Sequence, residues 1–149
     1  PTDPAIPTSP AAVCEPVIFF DGYCGLCDGL VSRVLADRNA RAFRFSPLQG
    51  ETFRGVLERH PELHGVDSVV VWERPAGGPD RIHLRSDASL FVLERLAGPG
   101  RRFAGALKRI PRPLRDLGYR CVARVRYRVF GRRTTCRLPA ESERALFLP

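Results

Sequence analysis

The chain has 149 residues, 44% hydrophobic and 27% charged, the length of one domain able to bury a core without disulfide staples. No stretch approaches the roughly 18 uninterrupted apolar residues of a membrane span, and five cysteines with one close pair, Cys24 and Cys27, exclude the stapled framework of a small secreted protein. The net charge of +8 is segregated: residues 1–98 hold ten Arg and no Lys against thirteen acids, net −3, and residues 99–149 hold thirteen Arg and one Lys against three acids, net +11. A basic third of this kind reads as a docking face for nucleic acid, an anionic membrane or an acidic partner protein, or as a solvated helix face in an Arg-rich chain. Nucleic acid is the least expected of these, because the basic region has few aromatics and no nucleic-acid motif.

Residues 1–16 begin "PTDPAIPTSPAA", with neither the basic start nor the apolar run of a secretory signal. They are expected to form a disordered tail, with Cys14 unpaired in it. The absence of methionine fits removal of an initiator ahead of Pro1, so a nearly complete cytoplasmic product is expected. "PVIFF" reads as a buried strand stopped by "DGYCG". From there Leu26, Cys27, Leu30, Val31, Val34 and Leu35 follow helical spacing. "AFRFS" is a second strand, and "GETFRGVLERH" a helix with Phe53, Val56, Leu57 and His60 on one face. "DSVVVWE" and "DRIHLRS" are strands joined through "RPAGGP", a hairpin signal. Ser86 is the expected cap of a helix, "DASLFVLERLA", that stops at "GPG". The order β-α-β-α-β-β-α, with a C-x-x-C where the first strand hands over to the first helix, is the plan of the thioredoxin and glutaredoxin folds. Residues 17–98 are therefore expected to form a thioredoxin-like α/β body. Residues 99–149 are expected to be an Arg-rich helical extension packed on it. In that extension Leu114, Leu117, Gly118, Cys121, Val122, Val125 and Val129 mark the buried stripe of a long amphipathic helix starting near Pro113, with Cys121 as a small core residue.

A redox dithiol needs a nucleophilic thiolate, a second thiol in reach and something to stabilise the negative sulfur. At a strand-helix junction, Cys24 lands at the helix N-terminus, where unpaired amides and the helix dipole favour the thiolate, and Cys27 lies one turn inside. Cys24 is then the exposed attacking thiol and Cys27 the resolving one. Two other readings stand beside this: a metal site, which lacks a second close Cys/His pair, and inert packing. No metal is expected, since none of His60, His64 and His83 has metal-pair spacing. Gly25 and Leu26, between the cysteines, donate no charge, and Asp21 and Asp28 flank the pair, so the site leans towards reduction of its substrates. Asp21 is either a proton acceptor for Cys27 or, with Gly22, an ordinary turn former.

The stretches "FFDGYCGLC", "FRFSPLQG", "GVDSVVVWE", "RSDASLFVLERL", "PRPLRDLGYRCVARVRYRVFGRR" and "CRLP" together resemble the DCC family of thiol-disulfide oxidoreductases, a group of small bacterial proteins, over roughly Val17 to Pro139. The resemblance makes Asp21, Cys24, Cys27, Arg126, Tyr127, Gly131 and Cys136 signature positions. It implies a thioredoxin-like fold and disulfide chemistry on a protein or small-molecule substrate, with no bound cofactor and an external thiol or dithiol as electron donor. Cys136 is either a third thiol near the site, with Arg126 and Tyr127 as accessory residues, or an anchor for the C-terminal loop. Thr134, Val125 and Val129 stand where the family often has Asp, Asn and Trp. Unlike thioredoxins proper, the chain has no proline ahead of its third strand, so Val66, Asp67 and Ser68, with Gly25 and Leu26, are the expected substrate-facing residues. The extension is expected to fold back, bringing "YRVFGRRTTC" beside the C-x-x-C.

Overall fold

A computed structural model describes residues 15–75 and 78–149; the predicted tail up to and including Cys14 and the centre of the hairpin loop lie outside the described residues, while Glu15 and Pro16, assigned to that tail, are held to Arg44 beside the sheet. The elements are β1 (Val17–Phe20), α1 (Gly25–Leu35), β2 (Arg44–Pro47), α2 (Glu51–Arg59), β3 (Val70–Glu73), β4 (Arg81–Leu84), α3 (Arg85–Arg95), α4 (Pro99–Lys108) and α5 (Arg112–Phe130). Through α3 this is the order expected above. The strands form one mixed sheet in the order β2-β1-β3-β4. β1 runs parallel to β2 and antiparallel to β3, and β3 runs antiparallel to β4.

The central position of β1 explains its uninterrupted apolar run. Successive side chains of a strand point to opposite faces, so Ile18 and Phe20 enter one core with Val31, Val34, Phe91 and Val92 from α1 and α3. Val17 and Phe19 enter a second core with Phe53 and Val56 of α2, Leu63 and Trp72. Burying each of these large side chains is worth about 1.5–3 kcal/mol. The sheet is thus covered on both faces, and the turn after β1 emerges at the end of the sheet where α1 begins.

Several details differ from the sequence reading or go beyond it. Ser86 does not cap α3: that helix starts at Arg85, whose φ of 52° turns the chain directly out of β4, and the Ser86 hydroxyl instead donates to Asp116 of α5. The helix expected to stop at "GPG" does so, α3 ending at Arg95. Gly98, at φ 72°, reverses the chain and Pro99 opens α4, whose Ala104 is buried and whose Lys108 pairs with Glu94 of α3. The segment after Cys136 is more than a tail: a turn of 3-10 helix at Glu141–Leu146 leads Phe147 to stack on Phe45 at 5.4 Å, and Leu148 N–H donates to the Phe45 carbonyl at 2.7 Å.

The largest difference is in α5. The stripe expected to be buried is exposed: Leu114 59%, Leu117 56%, Val122 46%, Val125 43% and Val129 65%, and Cys121 is exposed as well. The face turned inward carries Arg115, Asp116, Tyr119, Ala123, Arg126 and Tyr127, spaced i, i+1, i+4, i+8, i+11 and i+12. It is polar and nevertheless covered, because its charges meet partners: Arg115 pairs with Asp87 at 3.3 Å, Asp116 takes the Ser86 bond, and Arg126 pairs with Asp21 at 3.7 Å. Buried charge is tolerated where it is paired.

Candidate active site

The C-x-x-C begins α1. Cys24 is the N-cap with an extended backbone, and its sulfur accepts a hydrogen bond from the Cys27 N–H at 3.4 Å. One of the unpaired amides of the helix start therefore points at this sulfur, the geometry that holds negative charge there. Both cysteines are free thiols. Burial, with the adjacent Cys24 hydrogen bond and charge, pushes the Cys27 thiol up to about 12, so Cys27 keeps its proton at neutral pH.

Cys24 is not exposed as the sequence led us to expect; it is fully buried. The cause is the segment after α5. Gly131, at φ 78°, turns the chain across the start of α1, where Arg132 pairs with Cys24 as an antiparallel β-bridge. Gly25 N–H donates to the Gly131 carbonyl at 3.3 Å and Arg133 N–H to the Tyr23 carbonyl at 2.7 Å. Asp28 of α1 fixes this strap from the side, with Arg133 at 2.5 Å and Arg137 at 2.8 Å. Gly25 is small out of necessity: a Cβ there would lie 2.3 Å from the Phe130 carbonyl oxygen.

Beneath the cysteines lies a buried polar cluster. Asp21 accepts from Tyr23 N–H at 3.0 Å, from Gln49 Nε2 at 3.2 Å and from the Tyr127 hydroxyl. Arg126, 3% exposed, donates to that hydroxyl at 3.0 Å and reaches Asp67 at 3.7 Å. Burial opposes the Arg126 charge, but the Tyr127 bond and the acidic hydroxyl and thiols around it, those of Tyr127, Cys24 and Cys27, outweigh this and raise its pKa. Burial and the Asp21 bond raise that of Tyr127. The two aspartates that flank the C-x-x-C are thus each matched to guanidinium groups from the far end of the chain.

Of the remaining predicted residues, Leu26 packs on the core beside α1, Ser68 is buried, and Asp67 points outward, touching the site through Arg126. Val66 packs with the second core, on the other side of the sheet. Cys136 comes to the site: a Cβ on Gly22 would stand 2.3 Å from its sulfur, and chain geometry then puts that sulfur no more than roughly 14 Å from the sulfur of Cys24. Burial, and secondarily the charges of Asp21 and Asp28, raise the Cys136 pKa. Two functional residues escaped the sequence reading. Gln49 bridges Asp21 and the Gly22 amide; the only signal was its place in "FRFSPLQG". Tyr119 accepts from the Val69 N–H at 3.2 Å, just ahead of β3, and its pKa is raised by burial. Its spacing of seven from Arg126 places both on one helix face. No group of three or more His, Cys, Asp or Glu able to hold a metal occurs among the described residues, nor is any helix there long and apolar enough to cross a membrane.

Comparison with known proteins agrees with this arrangement. No solved structure matches the chain. The uncharacterized protein YuxK of Bacillus subtilis is 33% identical over 134 residues, 89% of this chain and 93% of that protein. A chloroplastic DCC family protein of Arabidopsis thaliana is 35% identical over 125 residues, 83% of this chain and 70% of that one. The DCC1-like thiol-disulfide oxidoreductase family matches residues 18–132, from β1 and the C-x-x-C through α5 to the strap that covers Cys24, and the chain belongs to that family.

Proposed function

We propose that the protein is a thioredoxin-like thiol-disulfide oxidoreductase that reduces disulfides, with Cys24 as nucleophile and Cys27 as resolving thiol. The observation that carries this is the Cys24 sulfur at the N-cap of α1, facing the Cys27 amide, beside a thiol that burial keeps protonated. Cys24 attacks one sulfur of the substrate and displaces the other as a thiol. Cys27 then gives up its proton, attacks the Cys24 sulfur and releases the second thiol, leaving a Cys24–Cys27 disulfide. In this reading Asp21, held by Tyr127, Gln49 and Arg126, takes the Cys27 proton. Because Cys24 is covered, turnover requires the strap to lift, a motion that breaks its two backbone hydrogen bonds and its ion pairs with Asp28. In this reading Leu26, Gly25 and, through Arg126, Asp67 contribute the substrate-facing surface, whereas Val66, packed in the second core, does not. An external thiol or dithiol returns the electrons, without a bound cofactor, and the cytoplasm is the compartment we assign.

The deciding experiment is trapping. Cys27→Ser should accumulate mixed disulfides at Cys24, and Cys24→Ser should accumulate none. Equal trapping by both variants, or by neither, would reject the assignment of roles.

A second reading has its own observation: α5 exposes an apolar stripe between arginines, and residues 99–149 carry a net +11. In this reading the extension docks an acidic protein or an anionic surface and the dithiol switches that docking. Binding that falls steeply with salt and changes between the reduced and oxidised forms would favour it.

A further inference from the structure

Beside Cys27 the extension does not close onto the body. A groove of ≈ 520 Å³ runs between α1, α3, α4 and α5, walled by Leu26, Leu30, Phe103, Leu107, Leu114 and Val122. Its volume is in the range that takes a small molecule. The charged residues that line it are all of one sign. No acidic residue lines it, whereas Arg115 and Arg126 do, so the charge that faces a molecule in the groove is positive. Arg126 stands at the cysteine end and Arg115 eleven residues earlier in α5, about 16 Å along the helix axis. A second copy of the chain is a poor occupant, because it would bring the same arginines against one another.

We infer that the groove binds a disulfide carrying an apolar chain that ends in a carboxylate, with the disulfide at the Cys27 end, the chain along the leucine and phenylalanine walls and the carboxylate at Arg115. This rests on the disulfide-reductase reading and names its substrate class. The chemistry is the exchange described above. With the strap lifted from Cys24, one substrate sulfur bonds to Cys24 while the substrate S–S bond breaks and the departing thiolate takes a proton. Attack by Cys27 then breaks the bond to Cys24 and releases the second thiol. The substrate gains two electrons and two protons as the dithiol becomes a disulfide.

The test compares three disulfides with an external thiol donor: hydroxyethyl disulfide, dithiodipropionate and dithiodiundecanoate, the last long enough to span the groove. We expect kcat/KM for the undecanoate to exceed that for the propionate by at least about tenfold, and Arg115→Gln to lower that ratio by about the same factor. Dodecanoate, which has no disulfide, should bind saturably below its micellar concentration and compete with the undecanoate. Leu107→Glu, which puts an acid in the wall, should weaken that binding. Failure to reduce any disulfide would overturn both the reductase reading and the substrate class. Reduction of hydroxyethyl disulfide with no chain-length preference and no dodecanoate competition would overturn the groove assignment alone. Preference for an apolar peptide disulfide over the undecanoate would likewise overturn it, in favour of a protein segment.

Discussion

Replacing Gly25 with alanine tests whether the strap of residues 130–133 controls access to Cys24. A Cβ at this position meets backbone, 2.3 Å from the Phe130 carbonyl oxygen and 3.3 Å from that of Gly131, and backbone cannot rotate away as a side-chain end can. The strap must either strain or lift. Overpacking of this kind costs about 1–3 kcal/mol. Lifting releases two backbone hydrogen bonds, Gly25 to Gly131 and Arg133 to Tyr23, worth about 0.5–1.5 kcal/mol each. Either way the closed form is disfavoured by about 1–3 kcal/mol, which is about 5- to 150-fold in the open population. The assay is the rate of alkylation of Cys24 in the reduced protein, located by mass mapping. Gly29→Ala is the control: it lies in the same helix and its Cβ meets nothing within 4 Å, so it should leave labelling unchanged and stabilise the protein by about 0.4–1 kcal/mol. If Gly25→Ala labels Cys24 at the wild-type rate while folded, or Gly29→Ala accelerates labelling equally, the strap is not what shields the nucleophile.

The raised pKa of Cys27 gives a signed pH dependence. Its contribution to stability is fully present below the unfolded value of 9.0 and is lost as pH rises towards about 12, so the urea midpoint of the reduced protein should fall across that window, by up to about 1.4 kcal/mol per pH unit, and Cys27→Ser should flatten the fall. Gly22→Ala drives a Cβ into the Cys136 sulfur and should destabilise by about 1–3 kcal/mol; adding Cys136→Ala should restore most of this, and a strictly additive double mutant in chemical denaturation would refute the contact. Tyr127→Phe removes the hydroxyl shared by Asp21 and Arg126 and should lower stability by about 1–3 kcal/mol and slow disulfide turnover. An unchanged denaturation midpoint would show that Gln49 and Tyr23 satisfy Asp21 unaided.

The first half of the site was legible because its determinants are local. An apolar run ended by Asp21 and Gly22, then apolar residues at helical spacing, places Cys24 and Cys27 at a strand-helix junction whatever the rest of the chain does, and the alternation of β1 follows from strand geometry alone. The second half was decided by packing between residues about a hundred positions apart: Tyr127 reaches Asp21 across 106 residues, and Gly131 and Arg132 bury a thiol that its own sequence neighbourhood leaves open. The orientation of α5 shows why periodicity could not anticipate this. Hydropathy assigns arginine to the solvent side, but an arginine can be buried when carboxylates and hydroxyls meet it and offset its desolvation, and those partners, Asp87 for Arg115 and Asp21 with Tyr127 for Arg126, are brought together only by the tertiary fold. The helix therefore turns its paired polar face inward and leaves its apolar stripe at the surface, beside the groove that opens onto Cys27.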